Sequence, residues 1–268
     1  MMKKTQSAAY VPAPRRRFSV RALCLPLFLL ALCCVYTLSP TEVVSVLSGK
    51  KELPVYSVER DDNVIAISFD AAWGGDKTIP ILDILDRYNV KTTFFLVDIW
   101  TQKYPELVKE ILARGHEIGN HSATHAHMNQ LDEQGIIREL SGMADAAEKL
   151  TGVRPVLFRP PYGEYNDRVV RVARSQGYEV IQWSVDSLDW KNRGAEEIVR
   201  RATKVQSGDI VLFHNDSQYI VDALPEVLGY YQKNGYKVVP VSDILLTGDT
   251  VIDIQGRQKP QSTTIPEV

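Results

Sequence analysis

The chain has 268 residues, of which 44% are hydrophobic and 24% charged, a composition that argues against a disordered or fibrous protein. The first 21 residues carry six basic and no acidic residues, so the other 25 basic and 33 acidic residues give the rest a net charge of -8. An acidic body argues against nucleic acid as a partner, because phosphate binding needs clustered cations. All three cysteines lie within residues 24–34, so the chain beyond them has no disulfide and no thiolate metal site.

Residues 22–38 are 17 uncharged, mostly apolar residues that directly follow a basic leader at residues 1–21. As a helix this run spans roughly 26 Å at about 1.5 Å per residue, close to the ~30 Å hydrocarbon core of a bilayer. A basic flank keeps the leader in the cytoplasm, so we predict a single-pass transmembrane signal-anchor with the rest of the chain outside. The alternatives are a cleaved signal peptide ending near Ala31-Leu32-Cys33 and a lipoprotein attached at Cys33, which the bulky Leu32 disfavours.

The remainder is predicted to be a linker and edge strand at residues 39–60, one domain at 61–248 and a flexible polar tail at 249–268. Predicted strands span residues 64–69, 92–97, 117–119, 156–158, 180–183, 210–213 and 237–240. Predicted helices span residues 79–88, 106–114, 132–150, 167–175 and 195–205. Strands that alternate with helices imply right-handed crossovers and a parallel sheet. We therefore predict an α/β fold, an irregular (β/α) barrel of about seven parallel strands, in preference to an open sheet.

Ionisable side chains fall at or just after the ends of five predicted strands. In chain order they are Asp70, His121 with His125, Arg159, Asp186 with Asp189, and His214. The carboxyl ends of the strands of a β/α barrel converge on the active site. We therefore predict one functional site built from these strand ends.

Two of the segments contain residues that could bind a metal ion or act as a general base. His121 and His125 are four residues apart, so on one helical face they could bind a single metal ion, although surface histidines often share this spacing. His116 and His127 are weaker candidates for ligands. Asp70 ends an apolar strand, where it is either a general base with a tuned pKa or a helix cap in a solvated turn.

The other segments suggest substrate contacts and an acid. In Arg159-Pro160-Pro161-Tyr162-Gly163 two prolines stiffen the turn, which either aims the Tyr162 N–H at a substrate oxygen or is purely structural. A buried carboxylate such as Asp189 beside His214 would raise the pKa of that histidine, as a general acid requires. Trp190 and Trp73 either stack on a sugar face or serve as shielding or core residues.

Taken together and in this order, the segments from residue 64 to residue 246 resemble the five signature motifs of the NodB-homology polysaccharide deacetylases, carbohydrate esterase family four. The resemblance covers 183 of 268 residues. The Ser68-Phe69-Asp70-Ala71-Ala72-Trp73-Gly74 segment resembles a sporulation-associated branch of that family. The resemblance implies a NodB-like barrel and metal-assisted, acid-base hydrolysis of an amide.

The resemblance also implies roles for individual residues. Asp70 matches the catalytic base, Arg159 the residue that holds it, His214 the general acid and Asp189 the aspartate that tunes this acid. The remaining matches are the metal ligands His121 and His125, the oxyanion donor at the Tyr162 backbone, Trp190 of the fourth motif and Leu212 in the acetyl pocket.

One position departs from the family pattern. Where the family has an aspartate that is the third protein ligand of the metal, this chain has Ala71, which the resemblance places beside Asp70 and facing the metal. Because catalytic zinc sites normally use three protein ligands, we expect a divalent metal, zinc first, to be bound weakly. Asp76 is a candidate replacement, although its position favours an N-cap of the following helix.

These observations predict a hydrolase that removes N-acetyl groups from amino sugars of peptidoglycan or a related cell-wall polysaccharide. Two alternatives are a catalytically weak or inactive glycan-binding scaffold, supported by Ala71, and a metal-dependent hydrolase of a small amide. The expected partners are the cell-wall polysaccharide and, through the N-terminal helix, the membrane. No phosphate loop, nucleotide fingerprint or nucleophile elbow occurs, so no nucleotide or flavin cofactor is expected.

Overall fold

A computed structural model describes residues 51–261 of the chain. The strands are β1 (Ser57–Val58), β2 (Val64–Ala71), β3 (Thr93–Leu96), β4 (Glu117–Asn120), β5 (Leu157–Phe158), β6 (Glu179–Val180), β7 (Val185–Asp186), β8 (Ile210–His214), β9 (Lys237–Val239), β10 (Thr250–Ile252) and β11 (Arg257–Pro260). The helices are α1 (Thr78–Arg87), α2 (Asp98–Lys103), α3 (Pro105–Ala113), α4 (Glu133–Thr151), α5 (Asp167–Ser175), α6 (Ala195–Ala202), α7 (Ile220–Lys233) and α8 (Val241–Ile244).

The main sheet runs in the order β6-β5-β4-β3-β2-β8-β7, and β9 pairs with the first residues of β2. Every pairing in this sheet is parallel. The seven strands of the main path curl into a partial barrel with helices outside it, which confirms the predicted irregular (β/α) barrel. All seven predicted strands are present within about two residues, apart from the strand predicted at 180–183, which ends at Val180.

The central strand β2 is buried along its whole length and presents two different faces. Ile65, Ile67, Phe69 and Ala71 belong to the apolar cluster that also contains the buried faces of the helices. Ala66 belongs to a second cluster inside the curled sheet. Successive side chains of a strand point to opposite faces, so the even-numbered residues of β2 face inward. This alternation directs the strand's terminal carboxylate toward the inside of the barrel.

Two helices begin at a capping side chain of the kind that their sequences predict. The Asp132 carboxylate accepts a 2.7 Å hydrogen bond from the Gly135 N–H at the start of α4. At the start of α5, the Asn166 side chain accepts a 3.0 Å bond from the Val169 N–H. Helix α5 has the predicted bounds, and α4 starts and ends one residue later than predicted. Helices α2, α7 and α8 and strand β7 were not predicted from the sequence, and α7 contains Pro225.

The C-terminal segment forms a small sheet, so the predicted flexible tail at 249–268 is wrong for residues 250–260. Strand β10 pairs antiparallel with β11, and β11 pairs parallel with β1. The Tyr56 and Glu59 N–H groups donate 2.8 Å hydrogen bonds to the carbonyls of Gly256 and Gln258. Main-chain hydrogen bonds order this polar segment, and composition does not reveal such bonds. Residues 262–268 lie outside the described part.

The domain also begins earlier than the predicted boundary at residue 61. Val55 and Val58 are fully buried and pack in the cluster inside the sheet, although they were predicted to lie in a linker and edge strand outside the domain. The described domain therefore includes residues 55–260. The predicted leader at 1–21 and anchor at 22–38 lie outside the described residues. Among residues 51–261, no helix has the length and apolar character needed to cross a membrane.

Candidate active site

A cavity of about 640 Å³ lies where the main-sheet strands end. Eight of the ten site residues predicted from the sequence line it: Asp70, Trp73, His121, His125, Tyr162, Trp190, Leu212 and His214. The other two, Arg159 and Asp189, are completely buried and contact lining residues from behind. The structure therefore brings all ten together, as expected for strand ends that converge on one edge of a parallel sheet.

Asp70 is held at the end of β2 by the guanidinium of Arg159. The Nη1 atom of Arg159 donates a 2.7 Å bond to Oδ1 of Asp70 and a 2.8 Å bond to the Ser68 hydroxyl. Its Nη2 donates to the Gln182 carbonyl, and the guanidinium lies 4.1 Å from the centre of the Phe95 ring. Burial alone would raise the pKa of Asp70, but the positive charge of Arg159 holds that pKa below its ordinary value. Asp70 is therefore ionised and ready to accept a proton.

His214 is held at the end of β8 by Asp189. Its Nδ1 lies 2.7 Å from Oδ1 of Asp189, and its backbone N–H donates a 2.8 Å bond to Oδ2. Burial alone would lower the pKa of His214, but this hydrogen bond and the charges of Asp189, Asp70 and Asp186 raise it to about 9. His214 is therefore protonated at neutral pH. With Nδ1 bonded to Asp189, its Nε2–H is the proton available to a substrate.

The candidate acid and base come from neighbouring strands at the same level of the sheet. Asp70 of β2 and His214 of β8 are direct register partners. Neighbouring parallel strands lie about 4.8 Å apart, so the two side chains start from adjacent positions on one face. An ionised carboxylate beside an imidazolium can take a proton from one atom and give another to a nearby atom, as hydrolysis of an amide requires.

His121 and His125 lie in the loop after β4, so the predicted arrangement on one helical face is wrong. Their ring centres are nevertheless 5.0 Å apart, because His125 takes a left-handed backbone conformation with φ of 59°. His121 Nδ1 lies 2.7 Å from the Arg159 carbonyl, which can only accept a hydrogen bond, so Nδ1 is the donor. In the neutral ring this leaves a lone pair on Nε2, which lies 3.5 Å from Oδ2 of Asp70.

Both of these imidazoles are neutral. Burial lowers the pKa of His121. Burial, together with the neighbouring His121, lowers the pKa of His125 to about 4. The Nδ1 atom of His125 is buried and has no hydrogen-bond partner among the described residues. Two neutral imidazoles, one bonded to a carbonyl through its second nitrogen, are the form in which histidine binds a divalent metal.

A third protein ligand for a metal is not evident at this site. Across residues 51–261, no three His, Cys, Asp or Glu side chains are arranged so that they could hold a metal ion. Ala71 is fully buried in the helix-side cluster and does not line the cavity, so the structure does not place it facing the metal. Asp76 is exposed, off the cavity wall, and makes no capping bond, because the N-cap position of α1 is Lys77. The residues present fit a cation held by His121 and His125 with few other protein contacts.

Three exposed aromatic side chains form the rim of the cavity. Trp73, Tyr162 and Trp190 are 58%, 53% and 54% exposed, and all three line the cavity. Large apolar surfaces are rarely left this exposed without a partner, and flat aromatic faces suit the apolar faces of sugar rings. The loop that carries Trp73 is tied down, because the Gly74 carbonyl accepts hydrogen bonds from the Trp100 indole and the Asn215 side chain.

Strained backbone is concentrated around the cavity. Within the described residues, seven non-glycine residues have positive φ, and five of them lie in the three loops that flank the cavity: Ser122, His125, Tyr162, Leu188 and Asn192. Each such residue costs of order 1 kcal/mol or more, so the surrounding contacts must stabilise it. Sequence gives no direct signal of this strain, apart from Gly163 and the two prolines next to Tyr162.

Several residues at the site were not predicted from the sequence. Those that line the cavity are Ala72, Gly163, Trp183, Asn192, Asp216 and Ser217. Ser68 and Gln182 support Arg159 from positions that read as ordinary strand residues. Asp186, which was predicted together with Asp189 at a strand end, also lines the cavity.

Comparison with known proteins agrees with this geometry. Residues 57–181 match the family described as polysaccharide deacetylase. A peptidoglycan-N-acetylglucosamine deacetylase of Bacillus cereus is 38% identical over 196 residues, which are 71% of this chain and 92% of that protein. The peptidoglycan-N-acetylmuramic acid deacetylase PdaC of Bacillus subtilis is 36% identical over 191 residues, 70% of this chain and 40% of that protein.

Solved structures give the same assignment. A CE4 family pseudoenzyme from Bacillus anthracis, BA3943, matches with a TM-score of 0.70 and 30% identity. The match covers 74% of this chain and 70% of that one. The chain belongs to the polysaccharide deacetylase family.

Proposed function

We propose that this protein hydrolyses N-acetyl groups on amino sugars of peptidoglycan or a closely related cell-wall polysaccharide. The observation that carries the proposal is the pairing of an ionised Asp70 with a protonated His214 on adjacent strands, each fixed by its own buried partner. A domain that only binds a glycan needs no such pair. Two relatives of this chain are peptidoglycan deacetylases, which supports the substrate class.

In the proposed reaction, Asp70 removes a proton from a water molecule that attacks the acetyl carbonyl carbon. The backbone N–H of Tyr162 stabilises the negative charge that develops on the carbonyl oxygen. The Nε2–H of His214 is then transferred to the nitrogen of the leaving amine as the C–N bond breaks. The products are acetate and a free amino sugar.

His121 and His125 would hold a divalent cation, for which zinc is the first candidate. When bound, such a cation polarises the acetyl oxygen and increases the acidity of a nearby water molecule. The two imidazoles are already neutral, and His121 is oriented by the Arg159 carbonyl, so they need no proton release to serve as ligands. With no third acidic ligand evident, we expect weak binding.

The walls of the cavity match an N-acetylated sugar. Leu212 is 2% exposed and lines the cavity, so it offers an apolar contact for the acetyl methyl group. Trp73 and Trp190 provide exposed aromatic side chains at the rim, where neighbouring sugars of a chain would stack. The combination favours a polymer over a small amide, which would leave the rim unused.

A second candidate is a glycan-binding protein with little or no catalysis. Two observations favour it: the alanine at position 71, and the similarity to a pseudoenzyme of the same family. Against it stand the complete Asp70–Arg159 and His214–Asp189 pairs. Glycan binding with no acetate release would make this candidate the function.

The deciding experiment measures acetate released from peptidoglycan and from N-acetylated chitin oligomers, with and without added Zn²⁺ or Co²⁺. We expect release that increases with added metal and is absent from an Asp70→Asn preparation, which controls for contaminating hydrolases. Binding of both polymers by sedimentation, with no acetate under any metal condition, would rule out the enzymatic proposal.

We also propose that residues 22–38 anchor the protein in the membrane with the catalytic domain outside the cytoplasm. The support is the uncharged 17-residue run behind six basic residues, and a substrate that lies outside the membrane. A reporter fused after Leu246 should be active only outside the cytoplasm. Activity of that fusion inside the cytoplasm would contradict the proposal. The similarity to a sporulation-associated branch stays a prediction.

A further inference from the structure

Tyr162 has a backbone conformation that a tyrosine does not favour. Its φ is 60° and its ψ 5°, in the left-handed region, and the next residue, Gly163, is also left-handed with φ of 69°. Gly163 adopts this conformation without strain, whereas a tyrosine does not. Because both ends of the turn are fixed, a change of Tyr162 to negative φ needs a compensating rotation at ψ of Pro161, which turns the Tyr162 N–H in another direction. The Gly163 N–H closes the turn with a 3.2 Å bond to the Pro160 carbonyl, and contacts of the Tyr162 side chain add to the stability of this conformation.

Two histidine rings hold the ring of Tyr162. The ring of His127 stacks on it, with ring centres 4.4 Å apart and an angle of 13° between the planes. The ring of His125 meets it edge to face, also at 4.4 Å. The ring of His127 is itself fixed, since its Nδ1 lies 2.9 Å from Oε2 of Glu164. Glu164 is two residues after Tyr162, so the stack and the hydrogen bond join the same two loops.

The position of His127 separates a supporting role from a substrate contact. Tyr162 lines the cavity, whereas His127 and Glu164 lie off the cavity wall, behind the ring. The side chains of His127 and Glu164 are 49% and 41% exposed, so neither is part of the hydrophobic core. An exposed pair that touches a strained residue of the active site is well placed to control the conformation of that residue.

We propose that His127 and Glu164 are positioning residues that keep Tyr162 left-handed and so aim its backbone N–H at the acetyl oxygen. This inference rests on the proposed deacetylase function. It assigns His127 a role in turnover that does not involve metal binding, substrate contact or proton transfer. It also explains why a tyrosine, and not only a glycine, can occupy a left-handed position here.

The first test compares His127→Ala with His127→Phe in acetate release from N-acetylated chitin oligomers. Loss of one oxyanion donor costs about 10²–10³ in turnover, so partial misalignment in His127→Ala should lower kcat by about tenfold with KM nearly unchanged. Phenylalanine restores the stack and should recover most of this loss. Arg154→Ala, which removes an equally exposed pair with Asp145 and Glu148, should leave kcat unchanged.

The second test asks whether His127 acts through Tyr162. In a Tyr162→Gly background the backbone is left-handed without support, so adding His127→Ala should change kcat by less than about twofold. A tenfold loss in that background, or a rise in KM with kcat unchanged, would show that His127 contacts the substrate and would overturn the proposal. Glu164→Ala should give a smaller loss in the same direction and serves if His127→Ala does not fold.

The third measurement does not depend on activity. The crystal structure of His127→Ala should show residue 162 with negative φ, and that of His127→Phe should show it left-handed. A left-handed Tyr162 in His127→Ala overturns the proposal whatever the kinetics. If φ changes as expected while the wild type releases no acetate from any substrate, the positioning role stands and the deacetylase function fails.

Discussion

The two sides of the cavity differ in whether their ionisable groups have protein partners. On the acid-base side, Asp70 and His214 each have a buried ionic partner at 2.7 Å. On the histidine side, His121 has one hydrogen bond to a carbonyl, and the buried Nδ1 of His125 has no partner among residues 51–261. On the acid-base side, protein groups alone satisfy both ionised side chains. On the histidine side, nitrogen lone pairs remain available to a bound ligand.

The difference follows from charge. A buried ionised group without a partner costs several kcal/mol, so Asp70 and His214 can exist in their working forms only with Arg159 and Asp189 beside them. A neutral imidazole left unpaired costs far less, of order 1–3 kcal/mol. The lowered pKa values of His121 and His125 keep those rings neutral. The proton-transfer machinery is therefore preformed, and the metal side depends on what is added.

The largest effect on turnover is expected when a residue of the acid-base pair is replaced. Asp70→Asn should lower turnover by about 10²–10⁴-fold, the usual contribution of one general base. It should also lower the melting temperature, because it leaves the fully buried guanidinium of Arg159 without its carboxylate. Acetate release and thermal unfolding measure the two effects. Asp62→Asn removes a carboxylate from an exposed pair with Arg60 and should change neither.

The activity that depends on the histidine side should change with the metal content of the solution. Dialysis against a chelator should reduce acetate release at least about tenfold, because two neutral ligands hold a divalent cation weakly. Added Zn²⁺ should restore release in the wild type but not in His125→Ala. Tight zinc that survives dialysis would mean that a third protein ligand exists, and the contrast between the two sides would disappear.

A smaller effect, a shift of the rate-pH profile, is expected at Asp189. The folded-state pKa of His214, about 9, lies above its ordinary value of 6.5, so acetate release should fall at alkaline pH with a midpoint near pH 9. Asp189→Asn removes the negative charge that raises this pKa while burial still lowers it, so the alkaline limb should move down by at least about one pH unit. Asp186→Asn removes only a distant charge and should move it less. The rate-pH profiles of the three proteins check the order.

The same raised pKa predicts a stability effect with a definite sign. Protonated His214 stabilises the fold fully below its ordinary pKa of 6.5, and this contribution is lost as pH rises through about 9. The melting temperature of the wild type should therefore fall between these values more than that of Asp189→Asn. Equal pH dependence in the two proteins would mean that His214 is not stabilised by Asp189.

Sequence reasoning was sufficient wherever a residue's position depends on the strand-helix pattern. Asp70 and His214 were placed correctly because each ends an apolar strand, and the ends of parallel strands converge. The fold class followed from the same alternation. The spacing of His121 and His125 correctly brought two rings together, although through a left-handed loop and not a helix.

Sequence reasoning failed where long-range backbone pairing decides the structure. The strand at Arg257–Pro260 carries polar side chains, and it pairs with β1, 200 positions earlier in the chain. The strand at Thr250–Ile252 pairs in turn with Arg257–Pro260. Support of Arg159 by Ser68 joins positions 91 residues apart. The direction of the residue 71 side chain is a third case. A family motif specifies which residue is present, but it does not specify the face of β2 on which that side chain lies in this chain.

The smallest expected effect, an unchanged zinc affinity, tests that third case and sharpens the contrast between the two sides. Ala71 and Ala72 are adjacent, but Ala71 is buried with Phe69 in the helix-side cluster, whereas Ala72 lines the cavity. Ala71→Asp therefore places a carboxylate in apolar surroundings with no partner, at a cost of several kcal/mol. Ala72→Asp places the same group toward the cavity and solvent, where it should cost less than about 1 kcal/mol. Thermal unfolding of the metal-free proteins measures both.

Zinc titration of the same two proteins then decides which face residue 71 occupies. If β2 keeps its alternation to its last residue, the carboxylate of Ala71→Asp points away from His121 and His125, so zinc should bind no more tightly than in the wild type and should not restore the lost stability. The family pattern makes the opposite prediction, since it expects an aspartate at this position to complete the metal site. A gain of tenfold or more in zinc affinity, equivalent to about 1.4 kcal/mol, together with recovery of the melting temperature, would mean that the end of β2 turns toward the histidines once a metal is bound. The histidine side would then be incomplete only because residue 71 is alanine.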